Sequence, residues 1–310
     1  MLSAILSKLI SESLLSMHPI MMKYINLNIE SKIWNRTFWY IVISLFFVNW
    51  QFIIDNLFTY NVFLLTIIIV AHLYFTHRGF LLLESGIGYT LYYTYPIMII
   101  LIAGIKLDYK IIMILIGLII GIILIYDKIG FNINDELKNN DNKKTNINDN
   151  ITEHYKHEGI ISVLLCAFTE ALIYFVVKRI KSDNNWNQLF LSYIYVFIIY
   201  TIYIIYKYNK DPNFIINDSY IENFKKISYF NIIIGTFGHF LKYYAIYNLN
   251  PLLYSVLSYF GIITAFIYGM IINNDKINFR KILGALLIII ANIALFIPSS
   301  NTYSIKQDMW

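Results

Sequence analysis

Apolar residues in this chain arrive in runs of about 20, the length of helix that crosses the hydrocarbon core of a bilayer. Of its 310 residues, 58% are hydrophobic and 14% are charged. Runs such as Ile111 to Ile125 are apolar on every side, whereas the strands of a spanning barrel alternate apolar and polar residues. In hydrocarbon every backbone N–H and C=O needs an internal partner, and a helix supplies one within the segment. The expectation is an all-α integral membrane protein forming one bundle of ten transmembrane helices. Its spans are predicted at roughly 4–26, 35–55, 60–78, 84–104, 109–127, 158–180, 187–207, 226–247, 250–272 and 279–298.

Several function classes are excluded at this level. The one cysteine, Cys166, permits neither an internal disulfide nor a thiolate zinc cluster. The net charge of +5 resides largely in lysines of short loops, where it meets lipid headgroups, so no nucleic-acid partner is expected. The first 26 residues lack a basic leader region and carry Lys8, Glu12 and His18 within the apolar pattern; they read as a polar first helix and not as a signal peptide. There is no Gly-rich phosphate loop, no His-Glu-x-x-His and no cysteine pair, so no enzyme, cofactor or metal is expected.

The spans fall into two similar groups of five. Residues 128–157 are rich in Asn, Asp and Lys and read as a polar flexible linker that cannot bury enough surface to fold alone. It separates a first five-helix repeat, 1–127, from a second, 158–298, which a polar tail follows at 299–310. Trp34 matches Trp186, Pro96 matches Gly261, Gly117 matches Gly284, and Lys23 and Lys178 each end the first helix of their half. Repeats with an odd number of spans lie upside down relative to one another. That architecture is common in small-molecule transporters.

Particular motifs carry a family resemblance. Ala245-Ile246-Tyr247-Asn248-Leu249-Asn250 leads into Tyr254-Ser255-Val256-Leu257-Ser258-Tyr259-Phe260; an apolar helix ends at Asn274-Asp275-Lys276, and Leu283-Gly284-Ala285 opens the last one. In the first half, Tyr95-Pro96-Ile97 and Ile116-Gly117-Leu118 take the corresponding places. The succession resembles the EamA-like repeat of the drug/metabolite transporter superfamily. Two positions depart from it: Gly261 stands where the pattern has proline, and Lys106-Leu107-Asp108 replaces the acidic turn that Asp275 keeps. The resemblance implies ten helices in two inverted repeats around a cavity lined by spans 1, 3, 4, 6, 8 and 9.

Ionisable groups inside a membrane are costly and tend to mark a pathway. Glu12 and Glu170 lie in the first helix of each half, and His72 and His239 in the third. Lys242 follows His239 by three residues, on the same helix face. The bland alternatives are an interfacial Glu12, inter-helix hydrogen bonds for the histidines and a lysine snorkelling to the headgroups. Tyr89, Tyr95 and Tyr254 stripe the fourth span of each half as pocket candidates, with packing or interface anchoring as the simpler role. Pro96 and Gly261 are gating candidates, because a proline loosens a helix interior. Gly117 and Gly121 offer a small-residue face for close helix contact, and Trp34 and Trp186 read as markers of the membrane boundary.

The expected partners are the lipid bilayer and a small-molecule substrate, a polar or amphipathic metabolite moved by alternating access. One rival is a nucleotide-sugar or sugar-phosphate exchanger, which wants two or more basic residues in the cavity where only Lys242 is nominated. The other is a scaffold or receptor docking through 128–157. Basic residues place that linker on the cytosolic side, whereas the family resemblance places both termini there. Sequons at Asn35, Asn150 and Asn217 lie on the linker side.

Overall fold

The computed structural model describes residues 1–83, 85–104, 108–125, 149–182, 184–210, 218–273 and 279–294. Every regular element among them is helical: α1 (Leu2–Leu15), α2 (His18–Tyr24), α3 (Ile29–Ser44), α4 (Trp50–Leu57), α5 (Tyr60–Leu82), α6 (Ser85–Tyr92), α7 (Tyr95–Ile102), α8 (Tyr109–Ile125), α9 (Asp149–Ile180), α10 (Asn185–Lys210), α11 (Asp218–Phe230), a π-turn (Asn231–Gly235), α12 (Thr236–Asn248), α13 (Pro251–Ser258), α14 (Phe260–Asn273) and α15 (Phe279–Ala294).

Four stretches are long and apolar enough to cross a membrane by length and composition: Tyr60–Leu82, His157–Ile180, Asn185–Lys210 and Pro251–Ile272. The other expected spans are shorter or interrupted, for local reasons. The first breaks at Ser16 and Met17, and Pro19 sits in the first turn of α2, where a missing N–H costs nothing. The second begins earlier than expected, at an Asn28 cap whose side chain accepts from the Ser31 N–H at 2.8 Å, and α3 ends at Ser44. The fourth breaks at Tyr93 and Thr94, just ahead of Pro96 in the first turn of α7. The ninth, Pro251–Ile272, is long enough yet carries a one-residue break at Tyr259, with no proline at that point. The last residues of the expected linker, 149–157, are the opening turns of α9; residues 128–148 and the tail 299–310 lie outside the described residues.

The most extensive helix pairings join the earlier and later parts of the chain: α5 with α9, α8 with α15, α1 with α12, and α3 with α10. Glycines permit the closest of these. A Cβ on Gly79 would stand 3.0 Å from the Val163 nitrogen of α9, and one on Gly238 would stand 2.7 Å from the Leu15 side chain of α1. A Cβ on Gly117 would meet the Ala291 methyl at an ordinary 3.9 Å in the α8–α15 seam. Trp34 donates to Thr201 at 2.9 Å, and Trp186 packs between Phe47 and Phe240, so both also fill helix seams. Asn35 is buried and bonded to Ser228 and Asn231 at 2.7 and 2.9 Å, which removes it as a glycan acceptor.

The outer surface carries exposed Ile67, Ile202, Ile233, Ile271 and Ile290. Such a coat is a liability in water and the natural face of a bundle in lipid. The interior combines a hydrophobic core with a set of buried polar groups. Lys8, Glu12, Arg36, His72, Glu170, His239 and Lys242 are all buried, among fully buried tyrosines 40, 93, 95, 174, 243, 254 and 259.

Candidate functional site

A cavity of about 60 Å³ lies between α1, α2, α3, α5, α6, α9 and α12, and its wall includes Glu12, Arg36, His72, Tyr89, Glu170, His239 and Lys242. Glu170 projects from α9, 2% exposed. Its Oε1 meets Lys242 Nζ of α12 at 2.5 Å, and its Oε2 stands 3.6 Å from His72 Nε2 of α5. Lys242 therefore does not snorkel outward. His72 Nδ1 lies 3.3 Å from the Cys166 carbonyl, which can only accept, so Nδ1 carries the hydrogen. Nε2 then faces Glu170 Oε2, which has no hydrogen-bond partner of its own among the described residues. A lone pair against a carboxylate is repulsive, so this gap is suited to a dissociable proton on one side or the other.

Glu12 is satisfied differently. Its Oε1 takes Lys8 Nζ, one turn back on α1, at 2.5 Å and the Tyr95 hydroxyl at 3.0 Å; its Oε2 takes the Tyr93 hydroxyl at 3.0 Å. Lys8 is wholly buried, its ammonium 3.5 Å from the centre of the Tyr254 ring, a cation–π contact. Tyr93 sits in the break between α6 and α7, and it can reach Glu12 because residue 261 is glycine. A Cβ there would overlap the Tyr93 hydroxyl and come within 2.8 Å of Glu12 Oε2. Where the family pattern places proline, this chain places an opening for a phenol.

A third group forms around His239. Arg36 Nη2 donates to His239 Nε2 at 2.8 Å, and arginine has no acceptor, so Nε2 is the acceptor and Nδ1 carries the hydrogen. Nδ1 donates to the Gly235 carbonyl at 2.9 Å in the π-turn, with the Tyr40 hydroxyl at 3.2 Å. The π-turn beside it is a feature often found at functional sites. Tyr40 also lies under the guanidinium, ring centre 5.5 Å from Arg36 Cζ.

Of the residues expected from sequence, Glu12, His72, Tyr89, Glu170, His239 and Lys242 come together on the cavity wall. Tyr95 and Tyr254 stand behind it as partners of the Glu12–Lys8 pair. Tyr89 donates to the Ser16 carbonyl. Pro96 is buried beside the α6–α7 break and Gly261 follows the α13–α14 break. Lys8, Arg36 and Tyr93 were not among the expected site residues. Lys8 and Glu12 are four apart, which puts both on one face and was a usable signal. Arg36 was obscured by Trp34, which reads as a membrane boundary. Among the described residues no cluster of His, Cys, Asp and Glu is arranged to hold a metal.

Comparison with known proteins agrees with this architecture. No curated protein matches the sequence. One solved structure, described only as "Crystal structure of protein", superposes with a TM-score of 0.67 over 95% of this chain and 97% of its own, at 12% identity, which shows a shared fold. The model of the EamA-like transporter family matches residues 157–297. Over this stretch, a little under half of its length, the chain is similar to the EamA-like transporter family, whose members are membrane transporters of the drug/metabolite transporter superfamily.

Proposed function

We propose that the chain is a secondary transporter built from ten spans in two inverted five-helix repeats, 1–127 and 158–298, which rock about the cavity to expose a small polar or amphipathic metabolite to each side in turn. The observation that carries this reading is the paired interruption. The spans holding Pro96 and Gly261, matched in the repeat, both break within a few residues of those positions, and both breaks adjoin buried Glu12 through Tyr93. The exchange of partners supports it as well: α1 packs on α12, α13 and α14, while α9 packs on α5, α6 and α7. Both breaks keep helical dihedrals, at Thr94 and at Tyr259, so each is a local tightening of the helix and not an unwound segment. The Glu170–His72 gap supports a proton as coupling ion.

Leu15 lines the cavity without taking part in its polar network. In a Cys166→Ser background, Leu15→Cys reconstituted in liposomes should react with a membrane-impermeant thiol reagent applied from either face. Labelling from one face alone, or from neither, overturns alternating access.

The exchanger reading gains Arg36 as a second basic group on the wall. Lys8 and Lys242 do not add to it freely, because each is held by a carboxylate at 2.5 Å.

A further inference from the structure

The charges around the cavity do not balance. Lys8 and Lys242 are matched by Glu12 and Glu170. Arg36, 4% exposed and on the same wall, has no carboxylate partner among the described residues. Its contacts are a neutral imidazole at 2.8 Å, the Tyr40 ring and the Tyr193 hydroxyl. The imidazole is neutral by donor accounting, since its Nε2 must accept from the guanidinium. Three cations thus face two carboxylates, and one positive charge is left over in a medium where an unpaired charge is costly.

Besides Glu170 Oε2, two buried nitrogens on this wall lack hydrogen-bond partners among the described residues: Arg36 Nε and His18 Nε2. Arginine has five donors in a planar fork suited to two acceptor oxygens on one atom. An orphaned guanidinium N–H on a cavity wall offers a donor to an oxyanion, and His18 Nε2 on the same wall can offer another. The wall also carries the aromatic side chains of Phe80, Tyr89 and Tyr92.

We propose that the cavity takes an organic monocarboxylate, its carboxylate docked on Arg36 with His18 alongside and its apolar body against the Phe80 and Tyr92 side. The inference rests on the transporter reading and names the substrate class of the same cavity. The charge count selects among anions. One free cation neutralises a single negative charge, whereas a phosphate monoester brings roughly 1.5 to 2 at neutral pH. An amine would add to the excess instead of cancelling it.

A matched set of ring compounds tests this on the purified full chain: benzoate, phenyl phosphate, benzylamine and benzyl alcohol, compared by the rise in melting temperature each produces. Benzoate should raise it by about 2–4 °C near saturation, and the other three should produce little. Arg36→Gln should abolish the benzoate shift, and Arg36→Lys should retain part of it. A benzoate shift that persists in Arg36→Gln overturns the assignment. So does absence of a benzoate shift, or a larger shift with phenyl phosphate, benzylamine or benzyl alcohol. If Arg36→Gln does not fold, the ranking of the four compounds on the unaltered chain decides. The Leu15→Cys labelling separates the two readings: two-sided labelling without benzoate selectivity removes the carboxylate and leaves the carrier, and one-sided labelling with an Arg36-dependent benzoate shift does the reverse.

Discussion

Glu12 and Glu170 stand in the opening helices of the two halves, both buried and both 2.5 Å from a lysine, and they differ in everything else. Glu12 takes three donors, with its lysine on its own helix and two tyrosine hydroxyls, Tyr93 from the α6–α7 break and Tyr95 from the start of α7. Glu170 takes its lysine from α12 and faces a histidine of α5 at 3.6 Å, so its partners belong to helices of both halves. A carboxylate with every oxygen bonded is a fastener. On the rocking mechanism proposed above, one held between helices of both halves, with an unbonded oxygen, is a component whose environment changes as they move. Glu170→Gln should therefore have the largest effect. It leaves Lys242 as an uncompensated buried cation, at about 3–5 kcal/mol, and should abolish uptake driven by an imposed pH gradient. Adding Lys242→Met should recover most of the stability and none of the coupling. Glu12→Gln also leaves a buried cation, Lys8, without its carboxylate, but the ammonium keeps the Tyr254 face and the amide oxygen still accepts from a tyrosine, so its cost should fall below that of Glu170→Gln, at about 3 kcal/mol. Thermal unfolding in detergent measures each, and equal losses for Glu12→Gln and Glu170→Gln would erase the contrast.

The two helix breaks sharpen the same asymmetry. At Pro96 the break follows from a missing N–H and a fixed φ. At Gly261 it coincides with a side chain from the other half entering the space a Cβ would fill. Gly261→Ala should consequently cost about 1–3 kcal/mol by overpacking, and Tyr93→Phe introduced with it should recover part of that, since the hydroxyl is the atom in the way. If the alanine is tolerated without loss, the phenol is not what requires the glycine.

How much of this was legible beforehand depends on the kind of signal. Glu170, His72, His239 and Lys242 stood out because an ionisable residue in an apolar run has few ordinary reasons to be there. Arg36 did not, because charge next to tryptophan looks like a membrane edge, and only the helix start at Ile29 reveals that residue 36 lies two turns inside. The resemblance between halves located the interruption at Pro96, where the cause is covalent. The one at Tyr259 has no such mark, and the role of Gly261 depends on a tyrosine 168 positions earlier in the chain, a contact that no local pattern encodes. Long apolar runs made the membrane class plain, yet span boundaries slipped wherever a cap or proline cut a run, as at Asn28 and Pro19.

The smallest predicted effect separates packing from chemistry among the tyrosines. Tyr95 and Tyr254 are both fully buried around the Lys8–Glu12 pair, but they serve it with different parts. Tyr95 gives its hydroxyl to Glu12 at 3.0 Å, whereas Tyr254 gives its ring face to Lys8 and its own hydroxyl has no partner among the described residues. A hydrogen bond to a charged group contributes about 1.5–3 kcal/mol, and an unmet buried hydroxyl is a penalty its removal lifts. Tyr95→Phe should thus destabilise by that amount, and Tyr254→Phe should be neutral or stabilise by up to about 1 kcal/mol, because phenylalanine keeps the ring beneath the ammonium. A clear loss of stability in Tyr254→Phe would mean that its hydroxyl, and not its face, is what the Lys8 site uses.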